Sequence, residues 1–293
     1  MQRQKHRPEV LAFLQKHFPG SHWDLSLPKG SGGETYFAHG DQTACFVKLG
    51  ATTANYQVLS SIGLTPRVLA ADRLNDGTSI LVQAAIMGRT PSRKDFHLHL
   101  ERIAAIIDTT HHSAELIRIL PPIPSDLYRQ IGLEALARLQ QRWQGCKALV
   151  PAAAEFVNQS LAELNQQVQS FSGAGSAACH NDICNANWLL AADGQIYLID
   201  LESMALEDPA LDIGALLWWY YPPELRPRFL EIVGYAHDLA FQNRMRVRMA
   251  MHCLSILLPR EHSFDRFDPE AFSRSHVDFK AVLAGQENPQ AYE

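Results

Sequence analysis

The sequence predicts an α+β chain: a small antiparallel β lobe with one helix over residues 1–87, then a larger, mainly helical lobe over residues 88–293 that carries a catalytic-loop hairpin. Three observations predict it. Apolar residues in the first lobe cluster in short runs punctuated by Gly, Pro, Asn and Asp, the pattern of strands joined by turns. From residue 96 they recur at helical spacing over three long stretches. Between the helical segments lies 179–212, reading CHNDICNANWLLAADGQIYLIDLESMALEDPALD, where β-type residues return.

Val10, Leu11, Leu14 and Phe18 mark a first amphipathic helix that Pro19-Gly20 ends. A glycine-rich turn, Gly30, Ser31, Gly32 and Gly33, then opens a β-type run to Phe37, and a second run spans 44–49. Such a loop lets backbone N–H groups approach phosphates, with Lys48 near the end of the second run as a point charge. A third glycine is missing, because Thr35 stands in its place. A helix over 53–62 stops at Gly63. Runs 67–71 and 79–85, joined by Asn75-Asp76-Gly77, complete an expected five-stranded antiparallel sheet, and 87–91 reads as a linker.

Helical patterns follow at 96–111, 125–146 and 151–171, the last opening on a proline tolerated in a first turn. Others are expected near 223–239, 241–257 and 269–283. Arg244 and Arg248, one turn apart, read as an anion contact or, more plainly, as a solvated helix face.

The chemistry concentrates in 179–212. His180, Asp182 and Asn187 form H-x-D-x-x-x-x-N, and Asp200 ends the apolar run 196–199. Strands at 188–190 and 196–199, turned by Asp193-Gly194, place both ends of this set on one hairpin. In kinase-type phosphoryl transfer a loop Asp accepts the proton of the attacking hydroxyl, an Asn five residues on holds a metal ion, and a further Asp completes the metal site. Each residue alone is a common turn former. Their joint pattern on a readable hairpin is much rarer.

Composition excludes other classes. With 46% hydrophobic and 19% charged residues, the chain reads as an ordinary globular protein. Its net charge of −5 arises entirely in the last third: residues 1–200 carry 17 acidic and 17 basic side chains, residues 201–293 carry 14 and 9. No basic footprint for nucleic acid exists, and the acidic C-terminal region suits a cationic small substrate as well as it suits plain solubility. A polar, basic N-terminus with no apolar stretch of membrane-spanning length leads us to expect a cytoplasmic protein without a membrane partner. Five scattered cysteines argue for reduced thiols; Cys179 and Cys184 beside His180 lack the pairing of a zinc site.

The segment 180–212 resembles the aminoglycoside phosphotransferase and choline kinase family, a branch of the protein-kinase-like fold. The resemblance rests on the catalytic loop, the apolar strand, Asp200-Leu201-Glu202 and Asp208-Pro209-Ala210-Leu211-Asp212, with Ile106–His111 resembling a family helix that ends in histidine. It extends from about residue 27 to about residue 220 and leans to the choline-kinase-like side. It implies a two-lobed fold and an ATP- and Mg2+-dependent kinase, with GTP as an alternative donor. Asp182 would be the catalytic base, Asn187 and Asp200 the magnesium ligands, and Lys48 the ligand of the ATP phosphates. The backbone of Gln83, Ala84, Ala85 and Ile86 would meet adenine. His180 and Asp212 would brace the loop, and Glu202 would help to position metal or substrate. Trp218 and Trp219 would offer an aromatic wall to a quaternary ammonium, although packing in the core is the commoner use of such a run.

The acceptor would be a hydroxyl of an aminoglycoside, choline or a similar amino alcohol or metabolite; neither its identity nor the oligomeric state is written in these motifs. One departure stands out. Where the family's helix offers a Glu to the strand lysine, this chain has Gln57, and no other carboxylate occurs in that helix. Two alternatives therefore stay in view: a catalytically weak, kinase-like binding module and, further back, a metal-dependent hydrolase using His180, Asp182 and Asp200.

Overall fold

The structure, a computed structural model, describes residues 5–28, 34–41, 43–259 and 267–288. The chain forms α1 (Arg7–His17), β1 (Asp24–Ser26), β2 (Thr35–His39), β3 (Ala44–Leu49), α2 (Thr53–Ser61), β4 (Val68–Arg73), β5 (Ser79–Ala84) and β6 (Gly88–Arg89). Next come α3 (Arg93–Leu98), α4 (Leu100–His111), α5 (Ala114–Ile119), α6 (Tyr128–Cys146), α7 (Pro151–Gln169), β7 (Ala177–Cys179), β8 (Trp188–Ala191), β9 (Ile196–Leu198) and β10 (Ala205–Glu207). The last four helices are α8 (Ala210–Tyr220), α9 (Arg226–Ile232), α10 (Leu239–Leu257) and α11 (Pro269–Leu283). It is the small antiparallel-sheet part followed by helices that the sequence predicts. Two compact units result: Met1–Pro91 with Asn185–Ser203, and Ser92–Cys184 with Met204–Glu293. The hairpin that carries Asn187 and Asp200 thus groups with the N-terminal residues.

In the first unit a five-stranded sheet runs β1-β2-β3-β5-β4, all neighbours antiparallel. Alternation along β3 sends Cys45, Val47 and Leu49 to one face, where they join Tyr36, Ala38, Ile80 and Val82. Val10, Phe13 and Leu14 of α1 close that core, each fully buried apolar side chain contributing roughly 1.5–3 kcal/mol. Lys48, between Val47 and Leu49, therefore stands on the opposite face. The edge strand β1 is too short to announce itself as a run.

The expected linker is partly a strand. Gly88 and Arg89 pair with Ala191 and Leu190, making a three-stranded sheet β6-β8-β9. Glycine is needed here, since a Cβ at position 88 would meet the Leu190 carbonyl at 2.6 Å. At the hairpin tip Gly194 takes φ +84, which suits the Asp193-Gly194 turn.

In the second unit α10 packs against α6, α7, α8 and α11. The expected helix at 96–111 is two helices that meet at His99, and the one near 223–239 is shorter, α9, followed by Gly234 at φ +80. A two-stranded ribbon pairs β7 with β10. Arg244 and Arg248 depart from the solvated face expected of them. Both are buried, at 3% and 2% exposure, because β10 and the residue after it deliver Asp208 to Arg244 at 3.1 Å and Glu207 to Arg248 at 3.1 Å. Among the described residues no helix is long and apolar enough to cross a membrane.

Candidate active site

Lys48 is the centre of a charged cluster in the first unit. Its Nζ donates to the Tyr56 hydroxyl at 3.0 Å, to Glu202 at 2.6 Å and to Asp200. Tyr56 in turn donates to Glu202 at 2.9 Å and accepts the Leu201 amide at 3.1 Å, while the Asn55 side-chain amide donates to the Leu201 carbonyl at 3.2 Å. Helix α2 thereby holds the turn 200–202 in place through two adjacent residues. Burial by itself would lower the Lys48 pKa; the Tyr56 oxygen and the two carboxylates outweigh it and carry it above the ordinary lysine value. Burial and the nearness of Asp200 raise Glu202 against the pull of Lys48 and Tyr56.

The sequence missed Tyr56. Gln57, the position aligned with the family's glutamate, is exposed, and its neighbour on the buried face of α2 is the residue that meets Lys48. The available signal was helical phase: Tyr56 and Leu59 share the apolar face. The acid comes instead from Glu202, 154 residues along the chain.

Asn187 and Asp200 occupy the same end of the hairpin, where the Asn187 carbonyl accepts the Ile199 amide at 2.9 Å. Asp200 has φ +62, in the left-handed region that a non-glycine residue enters at a cost. Of the expected adenine backbone, the Ala84 and Ala85 amides already donate to Arg67 and Ala44, and the buried Gln83 side chain donates to Pro66. Gly30, Ser31, Gly32 and Gly33 lie outside the described residues.

In the second unit β7 runs into His180, and Asp212 in the first turn of α8 fixes the turn at 180–181. Its Oδ2 accepts the His180 amide at 2.7 Å and His111 Nε2 at 3.1 Å; its Oδ1 accepts the Asn181 amide at 3.0 Å. Burial alone would raise the Asp212 pKa, but the bond from His111, the His111 and His180 charges and the amide hold it below the ordinary carboxylate range. Asn181 is held at φ +63; it and Asp200 are the only non-glycine residues with positive φ among the described residues. Asp182, half-buried, comes directly after this fixed turn. Donor atoms of His111, Cys179 and Asp212 lie within 4.8 Å of one another. Yet burial pushes the Cys179 thiol up and the other two are bonded together, which is poor material for a metal site.

Trp218 is buried and Trp219 half-buried, with their rings edge to face at 6.4 Å. Neither lines the cavity beside Asn181.

A model of the phosphotransferase enzyme family matches residues 27–250. The chain belongs to that family. This phosphotransferase is a small-molecule kinase, and solved structures of the same fold accompany the match. Choline kinase LicA from Streptococcus pneumoniae is similar at 17% identity and TM-score 0.64, covering 96% of this chain and 100% of that one. A choline/ethanolamine kinase family protein from Mesorhizobium loti is similar at 19% identity and TM-score 0.64, covering 98% and 96%. The GDP complex of wild-type aminoglycoside 2'-phosphotransferase-IIIa is similar at 12% identity and TM-score 0.65, covering 96% and 99%.

The donor set of the phosphotransferase fits magnesium. Asn187 and Asp200 offer hard oxygen donors at one hairpin end, and the Asp200 and Glu202 carboxylates crowd around a cation, Lys48.

Proposed function

We propose that the protein transfers the γ-phosphoryl group of ATP to a hydroxyl of a small molecule, with Asp182 as the base. The acceptor oxygen bonds to the γ-phosphorus as the bridging bond to the β-phosphate breaks; ADP leaves and the hydroxyl proton passes to the Asp182 carboxylate. Asn187 and Asp200 would hold Mg2+, which supplies charge neutralisation on the phosphates. Lys48 binds the phosphates as a fixed cation, Glu202 restrains Lys48, and Asp212 keeps the loop in register. Neighbours solved with AMP and with GDP support a purine nucleotide donor, and GTP remains an alternative to ATP. Ile86 and the nearby carbonyls are what remain for an adenine edge. Five free thiols suit a cytoplasmic setting.

The observation that carries the reading is the charged cluster of Lys48, Asp200 and Glu202 locked by Tyr56. It also answers one ground of the binding-module alternative, a lysine without an acid partner; the other, the imperfect glycine loop, lies outside the described residues. The test is phosphate transfer from labelled ATP. Asp182→Asn is expected to lower turnover by about 10²–10⁴-fold while Mg-ATP binding persists, because a base touches the acceptor and not the donor. Unchanged turnover in this variant would remove Asp182 from the mechanism.

A further inference from the structure

The second unit holds a cavity of about 560 Å³, of the size that takes a small molecule. It is framed by the segment 121–125, α6, β10 and α10. Asn181 lines it, and so does His252, which feels the charge of Asp182. An acceptor offering its hydroxyl to Asp182 has its remaining atoms here.

The charge of the lining is the informative feature. Arg138, Arg142 and Arg248 face Glu134 and Glu207, one positive charge in excess. Both acids are engaged: Glu134 accepts from Gln130 at 3.1 Å, and Glu207 accepts from Arg248 and from the Asp208 amide. Arg142 is spent on Ser255, Leu258 and Pro259 oxygens. Arg248 is different. Its side chain is 3% exposed, one nitrogen reaches Glu207, and its Nε and Nη1 have no hydrogen-bond partner. Buried guanidinium N–H groups left unmade are costly, so Arg248, a lining residue, has donor capacity left for an acceptor atom. Burial, helped by the Arg248 charge, lowers the His252 pKa against Asp182 and Asp212, so the ring favours its neutral form and Arg248 is the cation beside it.

Resting on the phosphotransferase reading, we infer that the acceptor of this enzyme is a hydroxyl compound bearing a carboxylate, which Arg248 receives in the cavity beside Asn181. With Asp182 counted the charges at the site balance, and the feature that selects a carboxylate is the pair of Arg248 nitrogens that no protein atom satisfies. A cationic amino alcohol would meet acids already satisfied and an arginine that repels it.

The test is labelled-phosphate transfer to three sets of acceptors: D-gluconate, D-glycerate and L-serine; choline and ethanolamine; and glycerol 3-phosphate. The carboxylates should be the substrates. In Arg248→Lys, which keeps a charge for Glu207, kcat/KM for them should fall by about tenfold or more through KM, the size of one charged hydrogen bond. The KM for ATP and the melting temperature should hold. Arg138→Gln, at an exposed lining position, gives a second variant free of folding risk and should weaken the same substrates more modestly. Turnover of choline or ethanolamine without the carboxylates, or preference for glycerol 3-phosphate, would overturn this inference and leave the kinase reading intact. Absence of transfer to the three carboxylates would overturn this inference as well, while the kinase reading is judged separately by magnesium-dependent binding of ATP.

Discussion

Asp200 and Asp212 are both motif aspartates, and their surroundings are opposite. The Asp200 side chain is 52% exposed and meets a lysine; Asp212 is 1% exposed and accepts three hydrogen bonds, two of them from backbone. An exposed carboxylate keeps its affinity for cations and costs the fold little. A buried one must be fully paired, and once paired it fixes the backbone that donates to it. The first arrangement suits a group that handles ligands, the second a group that positions others.

The comparison predicts unequal damage. Asp212→Ala leaves His111, the buried His180 amide and the half-buried Asn181 amide without their acceptor and should destabilise the protein by about 3–5 kcal/mol in urea unfolding, with activity lost alongside. Lys48→Ala should act the other way round. Nucleotide affinity should fall by roughly 10- to 150-fold, the worth of a charged hydrogen bond of about 1.5–3 kcal/mol, while stability moves by no more than about 1 kcal/mol. Similar losses of stability in the two variants would erase the distinction between ligand-handling and positioning acids.

pH sharpens it further. Asp212 has its folded pKa depressed, so its contribution is present above the unfolded value of about 3.9 and is lost as pH falls through the folded one. In the first unit His6 is bonded to Glu34 at 2.6 Å and to Asp76 at 2.9 Å, and these bonds raise its pKa against the opposing effect of burial. Its contribution is complete below the unfolded value of about 6.5 and is lost as pH rises through the raised one. Urea midpoints should therefore fall at acid pH through Asp212, and more gently above neutrality through His6. His6→Gln should flatten the upper limb alone. The smallest effect belongs to Gln57→Glu: at an exposed position away from Lys48 it should leave the KM for ATP unchanged and stability within about 0.5 kcal/mol. A marked gain in ATP affinity would return Gln57 to the site.

Much of this was legible beforehand, for definite reasons. The β-type run 44–49 put Lys48 near the end of a strand, and Asp193-Gly194 announced the hairpin that carries Asn187 and Asp200. The helical stretches were readable as apolar stripes, although the break at His99 was not, since no glycine or proline marks it. Strands β7 and β10 were hidden because three residues are too few to show a period. Arg244 and Arg248 were read onto a solvated face because their partners, Asp208 and Glu207, come from another element.

By itself, then, the sequence determined the class of fold, the order of its elements and the positions of the motif residues, because periodicity, turn chemistry and spacing are local properties. Only the tertiary structure decided which charges meet. Glu202 rather than a helix residue neutralises Lys48, Tyr56 rather than Gln57 touches it, and Arg248 is buried with two nitrogens turned to no partner. Phase along a strand or helix says which way a side chain faces; what it faces is set by segments distant in the chain, and electrostatics depends on that.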